Sequence, residues 1–112
     1  MKSYTDIEQS RKLAEILPIK SADLMWEYEP NKDTYLDKPT MIPIESYIFI
    51  NDIPCWSLVA LLNVIPSGKA LIHDKGNLGY KCICNNMDTY FHDNPLDACY
   101  EMIVKLYELK ML

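Results

Sequence analysis

The order of proline, turn and helix signals in the second half of this chain is the feature that most limits its fold. Two prolines bracket a short apolar stretch, which predicts a helix over about 57–65. A hairpin with a turn rich in glycine and asparagine is expected at about 69–85. Apolar residues then recur at helical spacing and predict a helix over about 95–110. A helix, a hairpin and a helix in this order predict a small α+β domain.

The hairpin and the last helix have the clearest local signals. In the second strand of the hairpin, Tyr80, Cys82 and Cys84 share one face. We expect that face to point inward, because the opposite face carries Lys81. Asn94 stands where a helix cap belongs, directly before a proline at the first helical position. The apolar stripe of the last helix is wider than one face, which predicts contacts on two sides.

The first half of the chain is less regular. A capping box that begins at Thr5 predicts a helix over about 5–17, and residues 21–26 are predicted as one further helical turn. The segment at about 27–46 contains turn residues and prolines but is too apolar for a free linker. We interpret it as a long irregular loop that packs across the domain with some extended structure, and we predict a possible extra strand at 47–50.

Length and composition set further limits. The 112 residues fit a single domain, 1–112, and the 49% of hydrophobic residues suffice for a core. The small antiparallel sheet is expected to pack against the three helices. The net charge is −5, and the longest basic run is Arg11-Lys12, which disfavours nucleic-acid binding. No apolar run approaches the roughly 18 residues of a membrane span, and no signal peptide is recognisable. We therefore expect a cytoplasmic protein with reduced thiols and no membrane contact.

The four cysteines and two histidines form no regular site in the sequence. Cys82 and Cys84 stand on one strand face, whereas Cys55 and Cys99 are expected on separate helices, a spacing unlike that of zinc knuckles. We interpret all four as buried thiols. A metal or small-ligand site using Cys82, Cys84 and His73, with Cys55 as a further ligand, remains an alternative. No phosphate loop or nucleophile motif is recognisable, so we predict neither a cofactor nor an enzyme.

Aromatic residues are concentrated in the 31 residues between positions 26 and 56. Tyrosine and tryptophan are enriched at interfaces because they join a large apolar body to a polar tip. Trp26 and Tyr28 stand beside acidic residues and a turn, which predicts a surface position, whereas Trp56 is predicted to lie in the core. The predicted partner-binding residues are Trp26, Tyr28, Tyr35 and Tyr107.

Three segments carry a resemblance to a known group of proteins. They read SADLMW from Ser21, PCWSLVALL from Pro54 and NPLDACYEM from Asn94. In these segments the chain resembles small uncharacterised proteins of gut anaerobic bacteria, often encoded in prophage or mobile-element regions, and the resemblance spans nearly the whole chain. Because that group has no known activity, the resemblance implies an accessory role in a mobile element and no cofactor or catalytic residue.

The features together predict a non-enzymatic protein-interaction or assembly module. We expect a homodimer or a component of a phage-related assembly, with contacts from the loop at 27–53 and from the last helix. Alanine at Trp26 or Tyr107 should then weaken association and leave the fold intact. Two alternatives stay open: the metal or small-ligand protein described above, and an acidic inhibitor of a basic host protein. The inhibitor is suggested by residues 1–56, where 10 acidic and 6 basic side chains give a net charge of −4.

Overall fold

The computed structural model describes residues 1–42, 51–74 and 76–112. Over these residues the chain forms three α-helices, one 3-10 turn and eight strands in three antiparallel sheets, which confirms the predicted α+β class. The elements are α1 (Ile7–Ile16), the 3-10 turn (Ile19–Ser21), β1 (Leu24–Trp26), β2 (Tyr28–Glu29), β3 (Thr34–Tyr35), β4 (Thr40–Met41), β5 (Ile53–Cys55), α2 (Leu58–Val64), β6 (Ala70–Asp74), β7 (Gly79–Cys84), β8 (Met87–Asp88) and α3 (Pro95–Glu108).

The chain divides into two compact units, each described here by itself. The first unit is Tyr4–Ser57, and the second joins Met1–Ser3 to Leu58–Leu112. The single domain expected from the sequence stays a prediction.

The first unit is built on a three-stranded sheet in which β1 lies between β4 and β5. Leu24 pairs with both Met41 and Cys55 across the two ladders. Because β5 is an edge strand of this sheet, it tolerates Pro54, which cannot donate a backbone hydrogen bond. Helix α1 packs against β5. A separate ladder joins β2 to β3, with Tyr28 opposite Tyr35.

Two sequence predictions for the first unit need correction. Residues 21–26 do not form a helical turn, because the chain enters β1 at Leu24 and buries Met25 and Trp26. Helix α1 is capped by Asp6 instead of Thr5, and Gln9 completes the capping box from the third helical position. The described part of the segment at 27–46, residues 27–42, contains β2, β3 and β4, which confirms the predicted extended structure. The possible strand at 47–50 lies outside the described residues.

The second unit carries the predicted hairpin. Strand β7 lies between β6 and β8, and the register places Leu71 opposite Cys82 and His73 opposite Tyr80. Cys82 and Cys84 are fully buried, as the alternation of side chains predicts. Gly79 has a φ of +101°, and a Cβ at this position would lie 2.1 Å from the carbonyl oxygen of His92. Only glycine therefore fits where the strand meets the residues that precede α3.

Helix α3 begins where the sequence predicts. The Asn94 side chain accepts a hydrogen bond from the backbone N–H of Asp97, and Pro95 is the first helical residue. The helix packs against β7, and α2 packs against α3. Helix α2 matches the prediction over 57–65 to within one residue at each end. Since α1 packs in the first unit, the packing of one sheet against all three helices is not confirmed.

Candidate interaction surface

Trp26 is a core residue, so its predicted surface position is wrong. Its side chain is 7% exposed and packs with Ile53 and Cys55. The indole N–H donates to the carbonyl oxygen of Thr5 at 3.2 Å, and the ring meets Tyr4 edge to face at a centroid distance of 5.7 Å. The acidic neighbours that suggested exposure flank a strand whose tryptophan faces inward. Trp26 can therefore contact a partner only after the first unit rearranges.

Tyr28 and Tyr35 form an edge-to-face pair with ring centroids 5.6 Å apart. The Tyr28 hydroxyl donates to the carboxylate of Asp33, and this hydrogen bond raises the pKa of Tyr28 above its ordinary value. The Tyr35 hydroxyl donates to the carbonyl oxygen of Asn51 at 3.0 Å. Both hydroxyls are thus engaged within the first unit, and the role of the pair in partner binding stays a prediction.

Thr5 forms the polar centre of the first unit. Its hydroxyl lies 2.7 Å from that of Ser10 and accepts the backbone N–H of Trp56 at 3.1 Å. The Cys55 thiol donates to the Thr5 carbonyl oxygen at 3.3 Å, and burial raises the pKa of that thiol. These groups are fully buried and satisfy one another. Such an arrangement holds the unit together and leaves Cys55 a poor nucleophile.

The proposed ligands of the metal alternative do not come together. Cys82 and Cys84 are buried under α3, whereas His73 is exposed and its ring stacks on Tyr80 at a centroid distance of 4.4 Å. No group of three or more His, Cys, Asp or Glu side chains suited to a metal ion occurs over residues 1–42, 51–74 and 76–112. The metal alternative stays a prediction with no supporting contact in this part of the chain.

Two adjacent depressions lie beside α3 in the second unit. One has a volume of about 400 Å³ and the other about 360 Å³. They share Asp88 and Lys105, so they form one continuous surface. We call this the β8–α3 surface; its residues are Lys81, Met87, Asp88, Thr89, Tyr90, Phe91, Lys105, Glu108 and Leu109.

Tyr90 is the most prominent side chain of the β8–α3 surface, with 80% of its area exposed. Its backbone is nevertheless held firmly. The Tyr90 N–H donates to both carboxylate oxygens of Glu101 at 3.3 Å, and its carbonyl oxygen accepts the Thr89 hydroxyl at 2.9 Å. Next along the chain, His92 exchanges two backbone hydrogen bonds of 2.7 Å with Tyr80. An exposed ring on a fixed backbone loses little conformational entropy when it is covered.

Two lysines surround the aromatic pair in this surface. The Lys81 ammonium lies 5.2 Å from the centroid of the Phe91 ring and 3.2 Å from the Asp88 carboxylate. The Lys105 ammonium lies 5.7 Å from the centroid of the Tyr90 ring and donates to the Asp88 carbonyl oxygen at 2.9 Å. Each lysine therefore combines a cation–π contact with a charged or polar partner. The surface carries both signs of charge at fixed places.

Glu101 connects the surface to the helix beneath it. Its carboxylate lies 2.7 Å from Nε2 of His92 and 3.4 Å from the Lys105 ammonium. Together with the N–H of Tyr90, these contacts engage both carboxylate oxygens. A histidine and a glutamate at this distance resemble two members of a catalytic triad. The nearby hydroxyl of Thr89 is engaged elsewhere, because it accepts a hydrogen bond from the Cys82 N–H and donates one to the Tyr90 carbonyl oxygen. The group acts as support for the exposed tyrosine.

Tyr107, predicted from the stripe of the last helix, is 47% exposed. It does not line either depression. Two residues from Lys105 along the helix, it projects from a different side of α3. The sequence thus indicates an exposed aromatic residue on α3 but not the depressions beside that helix, and the role of Tyr107 in partner binding stays a prediction. The sequence feature that would have indicated this surface is the aromatic pair Tyr90-Phe91, which stands in a polar segment and is separated by two residues from the cap Asn94.

Comparison with known proteins adds no relative, because the chain matches no protein-family model, no curated protein and no solved structure. Among the described residues, no helix has the length and apolar character that a membrane crossing requires.

Proposed function

We propose that this chain is a non-enzymatic interaction module that self-associates through the β8–α3 surface. The observation that carries the proposal is the exposed ring of Tyr90, whose backbone is held by hydrogen bonds, next to a depression lined in part by Met87 and Leu109. Leu109 is itself 56% exposed. Exposed apolar side chains close to an aromatic residue are typical of interface hot spots.

A second copy of the chain is the partner that this surface suits best. A two-fold interface must be self-complementary, because the same patch appears on both sides. The β8–α3 surface holds a protruding ring and a recess, and it also holds Lys105 beside Glu108. In the dimer that we propose, each ring occupies the recess of the other copy and each lysine meets an acidic residue. A surface of one charge sign would repel its own copy.

The proposal places the contacts at different residues from those that the sequence suggested. The main aromatic contact is Tyr90 and not Trp26. The last helix still contributes, but through the side that faces away from Tyr107. Membership of a phage-related or mobile-element assembly remains a prediction from the resemblance alone. The inhibitor of a basic host protein also stays a prediction, which rests on the net charge of residues 1–56 alone.

The test is the solution mass by light scattering behind size exclusion, for the natural sequence and for the double variant Tyr90→Ala, Leu109→Ala. We expect a dimer for the natural sequence and a monomer for the double variant, because the variant removes the ring and the apolar wall. Both side chains are exposed, so the fold should survive, and circular dichroism checks this. The matched control is Tyr107→Ala, which removes an exposed tyrosine of α3 outside the surface.

Three outcomes have different meanings. A dimer lost in the double variant and kept in Tyr107→Ala supports the proposal. A dimer lost only in Tyr107→Ala moves the contact to the other side of α3 and overturns the assignment of the surface. A monomer for the natural sequence at every concentration overturns self-association. Repeating the mass measurement at several salt concentrations shows how much the charges contribute, because the attraction between paired charges at the rim weakens at high ionic strength.

A further inference from the structure

Strand β6 is the longest edge strand among the described residues, and its outer side has no neighbouring strand there. Its partner β7 turns the backbone groups of Tyr80 and Cys82 toward the opposite side. Tyr80 exchanges two hydrogen bonds of 2.7 Å with His92, and the Cys82 carbonyl oxygen accepts the Thr89 N–H at 3.0 Å. Because backbone groups alternate along a strand, the residue between them, Lys81, directs its N–H and carbonyl group toward β6.

This alternation determines which residues of β6 face outward. Lys81 is opposite Ile72, so these two residues form a hydrogen-bonded pair of the ladder. Leu71 and His73, on either side of Ile72, therefore direct their N–H and carbonyl groups away from β7. The stacking of the His73 ring on Tyr80 at 4.4 Å agrees with this, because side chains approach more closely in pairs without hydrogen bonds. In the described part of the chain, these outward groups have no backbone partner.

We propose that β6 pairs with β6 of a second copy, antiparallel and about a two-fold axis at Ile72. In this register Leu71 of each copy is opposite His73 of the other, and each such pair exchanges two hydrogen bonds. All the outward groups of the edge thereby find partners. The contact does not rest on the β8–α3 surface, because β6 and β8 are opposite edges of their sheet.

The side chains of β6 are compatible with a copy of themselves. Ile72 is 38% exposed and stands on the axis, where a pair without hydrogen bonds brings the two isoleucine side chains together. Ala70 is opposite Asp74, so no like charges oppose each other within the strand. Lysines guard many sheet edges against such pairing, but the ammonium of Lys69 donates to the carbonyl oxygen of Ile65 at 3.1 Å, which holds it to the preceding turn.

The contact is small. Two five-residue strands bury much less than the roughly 800 Å² per partner of a stable interface. We therefore expect the strands to pair at high protein concentration and not to alter the masses expected above in dilute solution. A copy that uses both contacts has two neighbours, so association continues beyond a dimer only when the protein is concentrated.

The experiment places one cysteine on the proposed axis, in the variant Ile72→Cys, and incubates the concentrated protein with oxidised glutathione. In a pair without hydrogen bonds the two Cα atoms lie about 4.5 Å apart, within the range that a disulfide spans. The natural cysteines are buried, so the new thiol is the accessible one. Oxidised glutathione takes up the two hydrogen atoms that the thiols lose. We expect a disulfide-linked dimer in the intact mass measured without reducing agent.

The matched control is Ala70→Cys, at an exposed position on the same face of the same strand. With the axis at Ile72, the two copies of position 70 lie about 13 Å apart along the strands, which no disulfide spans. We therefore expect no linked dimer of Ala70→Cys above the background of the natural sequence.

A second pair of variants tests the backbone contact itself. His73→Pro removes one outward N–H and leaves the ladder with β7, because that N–H takes no part in the ladder. Added to Ile72→Cys, it should abolish the linked dimer, whereas His73→Ala should preserve it. Circular dichroism checks that each variant is folded.

Four outcomes contradict the proposal. Absence of a linked dimer for Ile72→Cys, or equal linking of Ile72→Cys and Ala70→Cys, would show that the strands do not pair in this register. A folded protein that carries Ile72→Cys and His73→Pro and still forms the linked dimer would exclude backbone pairing. Loss of the linked dimer when Tyr90→Ala and Leu109→Ala are added would show that the strands meet only through the β8–α3 contact. The comparison of Ile72→Cys with Ala70→Cys does not depend on whether the proline variant folds.

Discussion

The two units of this chain use their aromatic residues in opposite ways. The unit Tyr4–Ser57 turns Trp26 and Trp56 inward and engages the hydroxyls of its tyrosine pair in internal hydrogen bonds. The second unit leaves Tyr90 and Tyr107 exposed. A high density of aromatic residues along the sequence therefore marked a core, whereas a sparser region supplied the exposed rings. Aromatic content alone does not locate an interface.

The difference arises from where each side chain finds its hydrogen-bond partner. In the first unit, the Trp26 indole reaches Thr5, and the Trp56 indole reaches the Ser21 hydroxyl at 3.0 Å. These partners are far away in the sequence. In the second unit, Tyr90 is supported by its neighbour Thr89 and by the facing helix, and the Lys105 ammonium lies over its ring. Four measurements test this difference between the two units.

Alanine at Trp26 tests whether the first unit depends on its buried ring. We expect the free energy of unfolding to fall by about 3–5 kcal/mol, because a buried tryptophan leaves a large cavity and loses its packing. Urea denaturation followed by circular dichroism measures this. The matched control is Tyr107→Ala, for which we expect a change of about 0.5 kcal/mol or less, as is usual for an exposed site. Equal effects of the two variants would contradict the inward position of Trp26.

Valine at Thr5 tests the buried polar centre. The substitution keeps the shape but leaves the Ser10 hydroxyl and the Trp56 N–H without the Thr5 hydroxyl. We expect a loss of about 1–3 kcal/mol, the cost of unsatisfied buried polar groups. Thermal unfolding of Thr5→Val beside Thr34→Val, which alters an exposed threonine of β3, separates this cost from the loss of any hydroxyl. A Thr5→Val protein as stable as its control would mean that these contacts are dispensable.

Removing one helix cap in each unit compares how much the two capping side chains stabilise their helices. The Asn94 side chain caps α3, and the Asp6 side chain caps α1. We expect alanine at either position to cost about 1 kcal/mol. Amide hydrogen exchange should show faster exchange in the first turn of the affected helix and unchanged exchange in the other helix. Faster exchange throughout the chain would argue that the caps stabilise more than their own helices.

The smallest expected effect concerns the Tyr28–Asp33 hydrogen bond. Because the Tyr28 hydroxyl donates a hydrogen bond to the Asp33 carboxylate, the pKa of Tyr28 is raised in the folded protein. The contribution of this contact to stability is present below the ordinary tyrosine pKa of about 10 and is lost as the pH rises through the higher folded value. Titration followed by ultraviolet absorbance should show one tyrosine with a raised pKa, and Asp33→Asn should lower that pKa. An identical titration curve for Asp33→Asn would contradict the contact.

The sequence predicted the second unit better than the first because its signals are local. The alternation around Cys82 and Cys84 gives the correct inward face, and Asn94-Pro95 gives the correct helix start. Thr5 failed as a predicted cap because its hydroxyl is used by Ser10 and Trp56, and Trp56 stands 51 residues away. No pattern within a single segment predicts a contact between residues so far apart in the sequence.

The candidate surface was only partly predictable for the same reason. Helical periodicity predicted an apolar α3 with a wide stripe, and Tyr107 of that stripe is exposed. The depressions, however, require β8 and the segment that follows it to lie beside the end of α3. That arrangement depends on Glu101 binding the Tyr90 N–H across 11 residues. Spacing along the chain gives no sign of it.

The central claim is that association uses the β8–α3 surface and leaves the aromatic residues of the first unit inside. Hydrogen–deuterium exchange measured at a low and a high protein concentration tests it most directly. We predict slower exchange at high concentration in peptides that cover residues 87–91 and 105–109, and no change in peptides that cover 24–36. Slower exchange confined to 24–36, or no dependence on concentration anywhere, would contradict the account.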